Sequence, residues 1–416
     1  MTLKCRYGYA DEFCRLCLIH MNENRKNAFV GLAPAPWTGW GIYAKQLCMA
    51  LVSEGLAWPN TPYGASKTAA CGYDWSLLSH QINASSLDLF NALPPDKYDS
   101  GLSFDYVFHG FGNGLNSANN LPINGSKKVA IGFFEVSKLG HDLVDYLSQF
   151  DLIVAGSTWN KNILIRHGLS RVVRVLQGVD TALFNPMPVP RLLNASLIIF
   201  SGGKLEIRKG QDILIQAFRK LLAICPDALL IASWVNDSSS LSSISISPYV
   251  SGAPMKGNVE SILNWLESQG IPRRNVVVPG ILNSAQMASL LKQADLAVFP
   301  NRCEGGTNLV AMEAIACGVP TVLSANSGHL DLMRLGYPGI LPVLSKQQLN
   351  IPVSDYENFE VWGESDPDCL LKVFFDFLEG RMQFSRIQVH DETLEALSWR
   401  HSFKTLFSNL ESIETS

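Results

Sequence analysis

Between residues 105 and 324 the chain alternates short apolar runs with segments whose apolar residues recur at helical spacing. The alternation stops once, at N-P-M-P-V-P-R (185–191), and then restarts. This alternation builds a parallel sheet with helices on both faces, because each parallel neighbour needs a long crossover connection. Before the break, strands are expected at 27–33, 105–109, 128–134, 151–155 and 172–176, with helices at 42–54, 139–149 and 158–167. After it, strands are expected at 196–201, 228–234, 276–279, 295–299 and 320–324, with helices at 210–223, 258–268, 284–293 and 308–317. Three prolines within 186–190 remove backbone donors and forbid helix, so 185–191 is expected to link two domains. A chain of 416 residues is also too long for one ordinary core. Two α/β sheets facing across a cleft follow, with ligands expected beyond the carboxyl ends of the strands. Residues 57–102, rich in Pro, Ser, Asn and Gly, carry little pattern, and the Ser-rich 236–257 is expected to be a mobile loop.

Apolar residues make up 47% of the chain and charged residues 17%, the balance of a globular protein and not of a disordered one. A net charge of −4 excludes the basic excess of a general nucleic-acid binder. Nine cysteines stand at 5, 14, 17, 48, 71, 225, 303, 317 and 369. Cys14 and Cys17 form the one close pair, and a zinc site needs a second. All nine are therefore expected to be reduced thiols, and no metal is expected. Residues 1–30 hold no apolar run behind a basic start, so no secretory signal is expected. No apolar run approaches the roughly 20 residues of a membrane span. A cytoplasmic location is expected. Lys161, Arg166, Arg171 and Arg174, on or near one helix, form either a solvated face or a peripheral contact with the inner face of a membrane.

Three stretches carry chemistry. Gly202-Gly203-Lys204-Leu205-Glu206-Ile207-Arg208-Lys209-Gly210 lies between a strand and a helix. Glycines admit a ligand to the backbone, the helix start offers free N–H groups to phosphate, and Lys204, Arg208 and Lys209 add positive charge. A solvated surface turn is the alternative. The second stretch is C-E-G-G-T-N-L-V-A-M-E-A-I-A-C-G-V-P (303–320). Asn308 or Thr307 caps a helix that Gly318 and Pro320 end. Glu313, among apolar neighbours, is costly to bury without partners. It can accept two hydrogen bonds from a vicinal diol such as a ribose, and Glu304 can do the same for a sugar hydroxyl. A lysine-paired surface acid is the alternative for Glu313. The third stretch, Trp37-Thr38-Gly39-Trp40-Gly41, reads as a glycine loop after the first strand. Asp366-Pro367-Asp368 could hold a metal on a diphosphate, but N-capping of a helical run at 369–379 is the expected job. His109, His141, His167, His329 and His401 are dispersed and read singly as packed or surface histidines. Neither G-x-S-x-G nor H-E-x-x-H occurs.

Together these stretches resemble the retaining GT-B glycosyltransferases of family 4 (glycosyl transferases group 1). Gly203-Lys204-Leu205 with Lys209-Gly210 is similar to the family's G-[RK]-L-x-x-x-K-G. Gly178-Val179-Asp180 with Phe184 is similar to its G-V-D-x-x-x-F, Glu304 and Glu313 to its paired glutamates, and Trp399-Arg400-His401 to its C-terminal tryptophan motif. The resemblance is strong from about 128 to 330. It implies two Rossmann-like domains: 1–186 for the acceptor, 187–395 for the donor, and a helix at 396–416 crossing back to the first. It further implies a metal-independent, retaining hexosyltransferase of the kind used in polysaccharide biosynthesis. Such an enzyme moves a sugar from a UDP-sugar or GDP-sugar to a saccharide or lipid-linked acceptor and needs no other cofactor. Lys204 and Lys209 would hold the donor diphosphate and Glu313 the ribose. Gly305, Gly306, Thr307, Asn308, Leu309 and Glu304 would meet the phosphates and donor sugar. Gly39 and Gly41 would approach the phosphates from the other domain.

Two departures stand out. The family has seven residues between its glutamates and this chain has eight; the extra one falls in the loop, because the spacing from Leu309 to Glu313 is kept. The family also has a histidine after the strand at 128–134, where this chain has Phe133-Phe134-Glu135. Either Glu135 or His109 takes that place. A nucleotide-sugar-binding subunit with little catalysis, or a GT-B sugar-nucleotide epimerase, are the competing readings.

Overall fold

The computed structural model describes residues 26–36, 38–61, 76–78, 103–114, 123–235, 239–346, 349, 362–381 and 389–414. Trp37, Cys5, Cys14, Cys17 and Cys71 lie outside them.

The first sheet has six parallel strands in the order β2-β1-β3-β4-β5-β6. These are β1 (Asn27–Gly31), β2 (Trp58–Asn60), β3 (Ser103–Phe111), β4 (Asn124–Gly132), β5 (Leu152–Ala155) and β6 (Val172–Arg174). Helices α1 (Gly39–Ser53), α2 (His141–Ser148) and α3 (Thr158–Arg166) belong to this half. The second sheet, also six-stranded and parallel, runs β12-β11-β10-β7-β8-β9. Its strands are β7 (Ile198–Gly202), β8 (Leu229–Ser233), β9 (Val276–Val277), β10 (Leu296–Phe299), β11 (Thr321–Ser324) and β12 (Ile340–Val343). Its helices are α4 (Gln211–Leu222), α5 (Val259–Ser268), α6 (Ser284–Leu291), α7 (Leu309–Ala316) and α8 (His329–Met333). The short antiparallel pair β13 (Ser345–Lys346) and β14 (Glu364–Ser365) leads to α9 (Pro367–Leu378), α10 (Asp391–Leu397) and α11 (Trp399–Glu414).

Strands β5, β10 and β11 are buried at every position, which is why they read as unbroken apolar runs rather than alternations. Each sheet carries apolar clusters on two faces: Val30, Phe108 and Val154 against Ala130, Ile153 and Leu164 in the first, Leu214, Leu230 and Val298 against Ile198, Phe299 and Ile315 in the second. The doubly wound α/β expectation therefore holds, with a GT-B pair of sheets.

Two expectations are corrected. The glycines of Gly39-Trp40-Gly41 do not form a loop: they are the first turn of α1, started by Thr38, whose Oγ1 accepts from Gly41 N at 3.0 Å. The Ser-rich stretch is not a loose loop from residue 239 onward. It winds into 3-10 turns at Ser239–Ile246, where Ser243 Oγ accepts from Ile207 N (3.1 Å), and Ser247 Oγ just beyond donates to Asp212 Oδ2 (2.6 Å). The proline-rich linker has no regular element but is held to the second half. Arg191 pairs with Asp295 (2.6 Å), and Gln293 receives Leu192 N (2.6 Å) and donates to Pro190 O (2.9 Å).

The tail crosses back. Trp399 and Phe403 of α11 pack edge-on against Tyr43 of α1, with ring centroids 5.7 and 5.5 Å away. Val179 bridges to Ser398 at the crossing. The glycine of the G-V-D motif is required here: a Cβ on Gly178 would stand 2.4 Å from Trp399 N. Phe184, 3% exposed, closes the same turn into the core.

Candidate functional site

In the second sheet the strand order reverses between β7 and β10. Ligands of open α/β sheets bind at such a switch point, beyond the carboxyl ends of the two strands. The loops that leave those ends are 203–210 and 300–308, the two stretches singled out in the sequence.

They meet in a dense charge cluster. The Lys209 ammonium is hydrogen-bonded to Glu304 Oε1. Arg208 Nη1 stands 3.3 Å from Glu304 Oε2 and donates to Cys303 O at 2.9 Å, while its Nη2 donates to Glu206 at 2.6 Å. From the first half, Glu135 Oε1 reaches within 3.7 Å of Arg208. Asn301 Nδ2 donates to Glu304 Oε1, and Glu304 N donates to Ser327 Oγ at 2.8 Å. Burial works to raise the Glu304 pKa, but Lys209, Arg208 and His329 outweigh it and hold the carboxyl at about 2. Burial works to lower the Arg208 pKa, yet Glu135, Glu304 and Glu206 leave it well above its ordinary value. Glu304 is thus an anion clamped by two cations, at a place where its side chain is 7% exposed.

The loop from Glu304 to α7 is pressed against the first half. A Cβ on Gly305 would stand 2.4 Å from Phe134 O, so no other residue fits between the halves at that point. Ser157 Oγ donates to Gly305 O at 2.6 Å, and Gly306 lies beside Gln177 Oε1. Thr307 and Asn308 are buried. Thr307 Oγ1 contacts Met312 Sδ (2.9 Å), and Asn308 caps α7, its side chain accepting from Ala311 N (3.4 Å). Gly318 ends α7 with φ 73°, as expected. The start of α1 arrives opposite: a Cβ on Gly39 would stand 3.7 Å from Leu309 Cδ1, whereas Gly41 packs against Ala35. Two helix starts therefore converge near Leu309.

Glu313 lies one turn further along α7, with no hydrogen-bond partner for its carboxyl among the described residues. It borders a cavity of about 220 Å³ lined also by Leu309, Lys45, Asp180, Asn283 and Trp399. Burial pushes its pKa up to about 8. The lysine-paired alternative for Glu313 does not occur among the described ion pairs.

The other predicted residues are placed as follows. Lys204 is exposed, its carbonyl receiving Gln211 Nε2 at 2.7 Å, and it makes no ion pair among the described residues. Gly203 lies beneath the Lys209 stem, a Cβ there standing 3.7 Å from Lys209 Cε. His109, on β3, is packed between Phe29 and Phe150, both with centroids 5.8 Å away. Burial, and then Lys128, lower its pKa to about 4. None of its described contacts reaches the Glu304 cluster, which Glu135 does join. Asp366 caps α9, accepting from Asp368 N (2.8 Å), and Asp368 pairs with Lys220, so both acids are occupied structurally. No group of three His, Cys, Asp or Glu among the described residues is arranged to hold a metal. No described helix is long and apolar enough to cross a membrane. Cys48, Cys225, Cys303, Cys317 and Cys369 are free thiols.

Sequence reasoning missed a second ion cluster beneath the first. Arg302, with 0% exposure, bonds Asp212 (2.7 and 2.8 Å) and Glu364 (2.6 and 3.0 Å), and donates to Ile207 O (2.6 Å). Its N–H donates to Arg208 O at 2.8 Å. Arg302 therefore ties the loop that carries Lys209 to the loop that carries Glu304. Asp331, of α8, is a second functional residue that no motif in the sequence marks. It fastens the two halves, accepting from Thr158 N and Oγ1 (both 2.6 Å) and from Arg174 (3.0 Å).

Two parallel six-stranded sheets with a switch-point cleft and a tail that crosses back define the GT-B architecture. Residues 189–348 match the family described as glycosyl transferases group 1. A GDP-mannose-dependent monoacylated alpha-(1-6)-phosphatidylinositol monomannoside mannosyltransferase of Corynebacterium glutamicum is 27% identical over 202 residues, covering 45% of each chain. A D-inositol 3-phosphate glycosyltransferase of Catenulispora acidiphila is 28% identical over 206 residues, 47% of this chain and 46% of the relative. The match thus spans less than half the length of these curated relatives. Among solved structures, the fold is shared with sucrose-phosphate synthase from Thermosynechococcus elongatus (TM-score 0.61, 16% identity, 94% of this chain and all of the other). It is shared too with Anabaena HepE in complex with UDP and glucose (TM-score 0.57, 14% identity, 94% of this chain and all of the other).

Proposed function

We propose that this chain transfers a sugar from a nucleotide diphosphate sugar to an acceptor hydroxyl, with retention and without a metal. One observation carries the reading: Lys209 and Arg208 converge on a buried carboxylate at the switch point of the second sheet. A site that concentrates two cations on one anion is suited to a pyrophosphate. Breaking the anomeric bond builds charge on the leaving diphosphate, and fixed cations and helix-start N–H groups stabilise it without reorganisation. Glu313, unpartnered beside a cavity between the halves, is the group for the ribose. Lys204, exposed and without an ion pair among the described residues, can turn onto the phosphates. The UDP held by HepE and the GDP-mannose named for the Corynebacterium relative support a nucleotide-sugar donor, of either base. The acceptor is a saccharide or a lipid-linked saccharide. The location is cytoplasmic, and Arg174, engaged by Asp331, weakens the case for a basic membrane-facing patch. Retention rests on the resemblance to family 4.

A second reading, a nucleotide-sugar-binding subunit with little turnover, is favoured by one observation: Phe133-Phe134-Glu135 stands where the family has its histidine, and His109 is packed between Phe29 and Phe150. Incubation with UDP- and GDP-sugars and a crude acceptor separates the two. Nucleotide release with a glycosylated product of unchanged anomeric configuration, insensitive to EDTA, is expected. Tight binding without release favours the second reading. Loss of activity with EDTA overturns the metal-independent mechanism.

A further inference from the structure

The loop between Glu304 and Glu313 is one residue longer than the pattern it resembles, and its backbone is strained. Asn308 has φ 69° and ψ 91°. Asn308 and Ser327 are the non-glycine residues with positive φ among the described residues, and Ser327 Oγ accepts from Glu304 N. A side-chain-bearing residue stays in this conformation only where its surroundings hold it.

The hydrogen bonds identify what holds it. Asn308 Oδ1 accepts from Ala311 N, which turns Nδ2 toward His329 Nε2 at 3.3 Å. An amide nitrogen can only donate, so Nε2 must accept and the imidazole proton resides on Nδ1. Nδ1–H then donates to Ser324 Oγ (3.1 Å), and the Ser324 hydroxyl donates to Asn301 O (2.6 Å). Asn301 in turn donates through Nδ2 to Glu304. Donors and acceptors alternate without conflict from Asn308 to Glu304. His329 and Ser324 are both 0% exposed, so water does not compete.

We propose that His329 is a positioning residue: its neutral imidazole pins Asn308 in the left-handed backbone conformation and so sets the start of α7 relative to Glu304. The longer loop needs one residue to turn against its preference, and His329 supplies the anchor. The consequence for nucleotide binding rests on the donor-site reading above.

The test is a mutant cycle on the full chain. H329L keeps the bulk but removes the acceptor, H329Q keeps a side-chain oxygen, and N308G removes the conformational cost because glycine accepts positive φ freely. Affinities for UDP and GDP by calorimetry, and thermal unfolding midpoints, are measured for wild type, H329L, H329Q, N308G and N308G/H329L. H329L is expected to weaken nucleotide binding about five- to tenfold, the scale of one hydrogen bond, and H329Q to stay within about twofold of wild type. In the N308G background the same H329L change should cost no more than about twofold. An equal loss in both backgrounds, or H329L at wild-type affinity, overturns the proposal, because His329 then acts only as core filling. If wild type binds neither UDP nor GDP, the donor-site reading fails, and the unfolding midpoints decide alone. A drop for H329L that shrinks in the N308G background supports pinning, and an equal drop overturns it. Should H329L not fold, recovered folding in N308G/H329L supports pinning and failure of both overturns it.

Discussion

Raising the pH from about 6 to about 8 ionises Glu313, and nucleotide affinity should rise with it. Burial places its pKa at about 8 against an ordinary 4.5, and no described side chain donates to it. Below that pH the carboxyl is neutral and can accept one ribose hydroxyl while donating to the other. As a carboxylate it accepts from both, in charge-assisted bonds about twice as strong. If only the ionised form binds well, working two pH units below the pKa costs up to about 2.7 kcal/mol, at about 1.36 kcal/mol per unit. That limit is about a hundredfold in affinity. Glu313 is only part-buried and borders the cavity, so water there screens the penalty, and about tenfold is the expected rise. Calorimetric titrations of UDP and GDP at several pH values, in two buffers of different ionisation heat, give both affinity and protons released. Release should approach one proton per nucleotide on the acid side and vanish above the pKa. The nucleotide's own phosphate ionisation is common to E313Q, which should lack the Glu313 contribution. Without ligand, the folded chain holds a proton that the unfolded chain has lost between 4.5 and about 8. Stability should therefore fall as pH rises through that window, and E313Q should remove the fall. A wild-type affinity that is flat with pH, or an E313Q slope equal to wild type, refutes the ribose role.

Three further outcomes follow from the charge cluster and the contact between the halves. Lys209→Met should lower turnover more than tenfold if the cation acts on a leaving diphosphate, and normal turnover in steady-state kinetics would remove it from the site. The same change should flatten acid unfolding. Glu304, held at about 2 against 4.5, contributes on the order of 3 kcal/mol. That contribution is fully present above pH 4.5 and lost as pH falls toward about 2, so urea titrations at neutral and acid pH should converge in the variant. Asp331→Asn should weaken the fastening between the halves by about 1–3 kcal/mol through its charge-assisted bonds to Thr158. The exposed Arg174 partner should add little. Small-angle scattering of the ligand-free chain should then report a larger radius of gyration, and an unchanged radius would sink the latch.

What the sequence made legible is what neighbours along the chain decide. β10 and β11 announced themselves because strands buried on both faces are continuously apolar. Asn308, Gly318 and Pro320 marked both ends of α7, and Asp366 was placed as a cap, because capping acts within a turn. The start of α1 was misread for a related reason. Gly39 and Gly41 look like a loop until Gly41 is seen pressed on Ala35, where a Cβ would stand 2.6 Å away. Thr38 signals the helix, but glycine spacing masks it. How the site's charges pair was not legible, because the partners lie far apart in sequence. Arg302 finds Asp212 90 residues away and Glu364 62 residues away. Glu135 meets Arg208 only because the two sheets close on each other. His329 looked like any dispersed histidine, since nothing in its own neighbourhood reveals that its ring faces a strained Asn308. Motif spacing located Lys209 and Glu304 separately, but their pairing, and with it the ionisation of Glu304, is a property of the switch point. A one-residue insertion between the glutamates is tolerable there only because the surroundings of Asn308 absorb it. The same insertion in a loop lacking such an anchor would be expected to displace Glu304 from its cations.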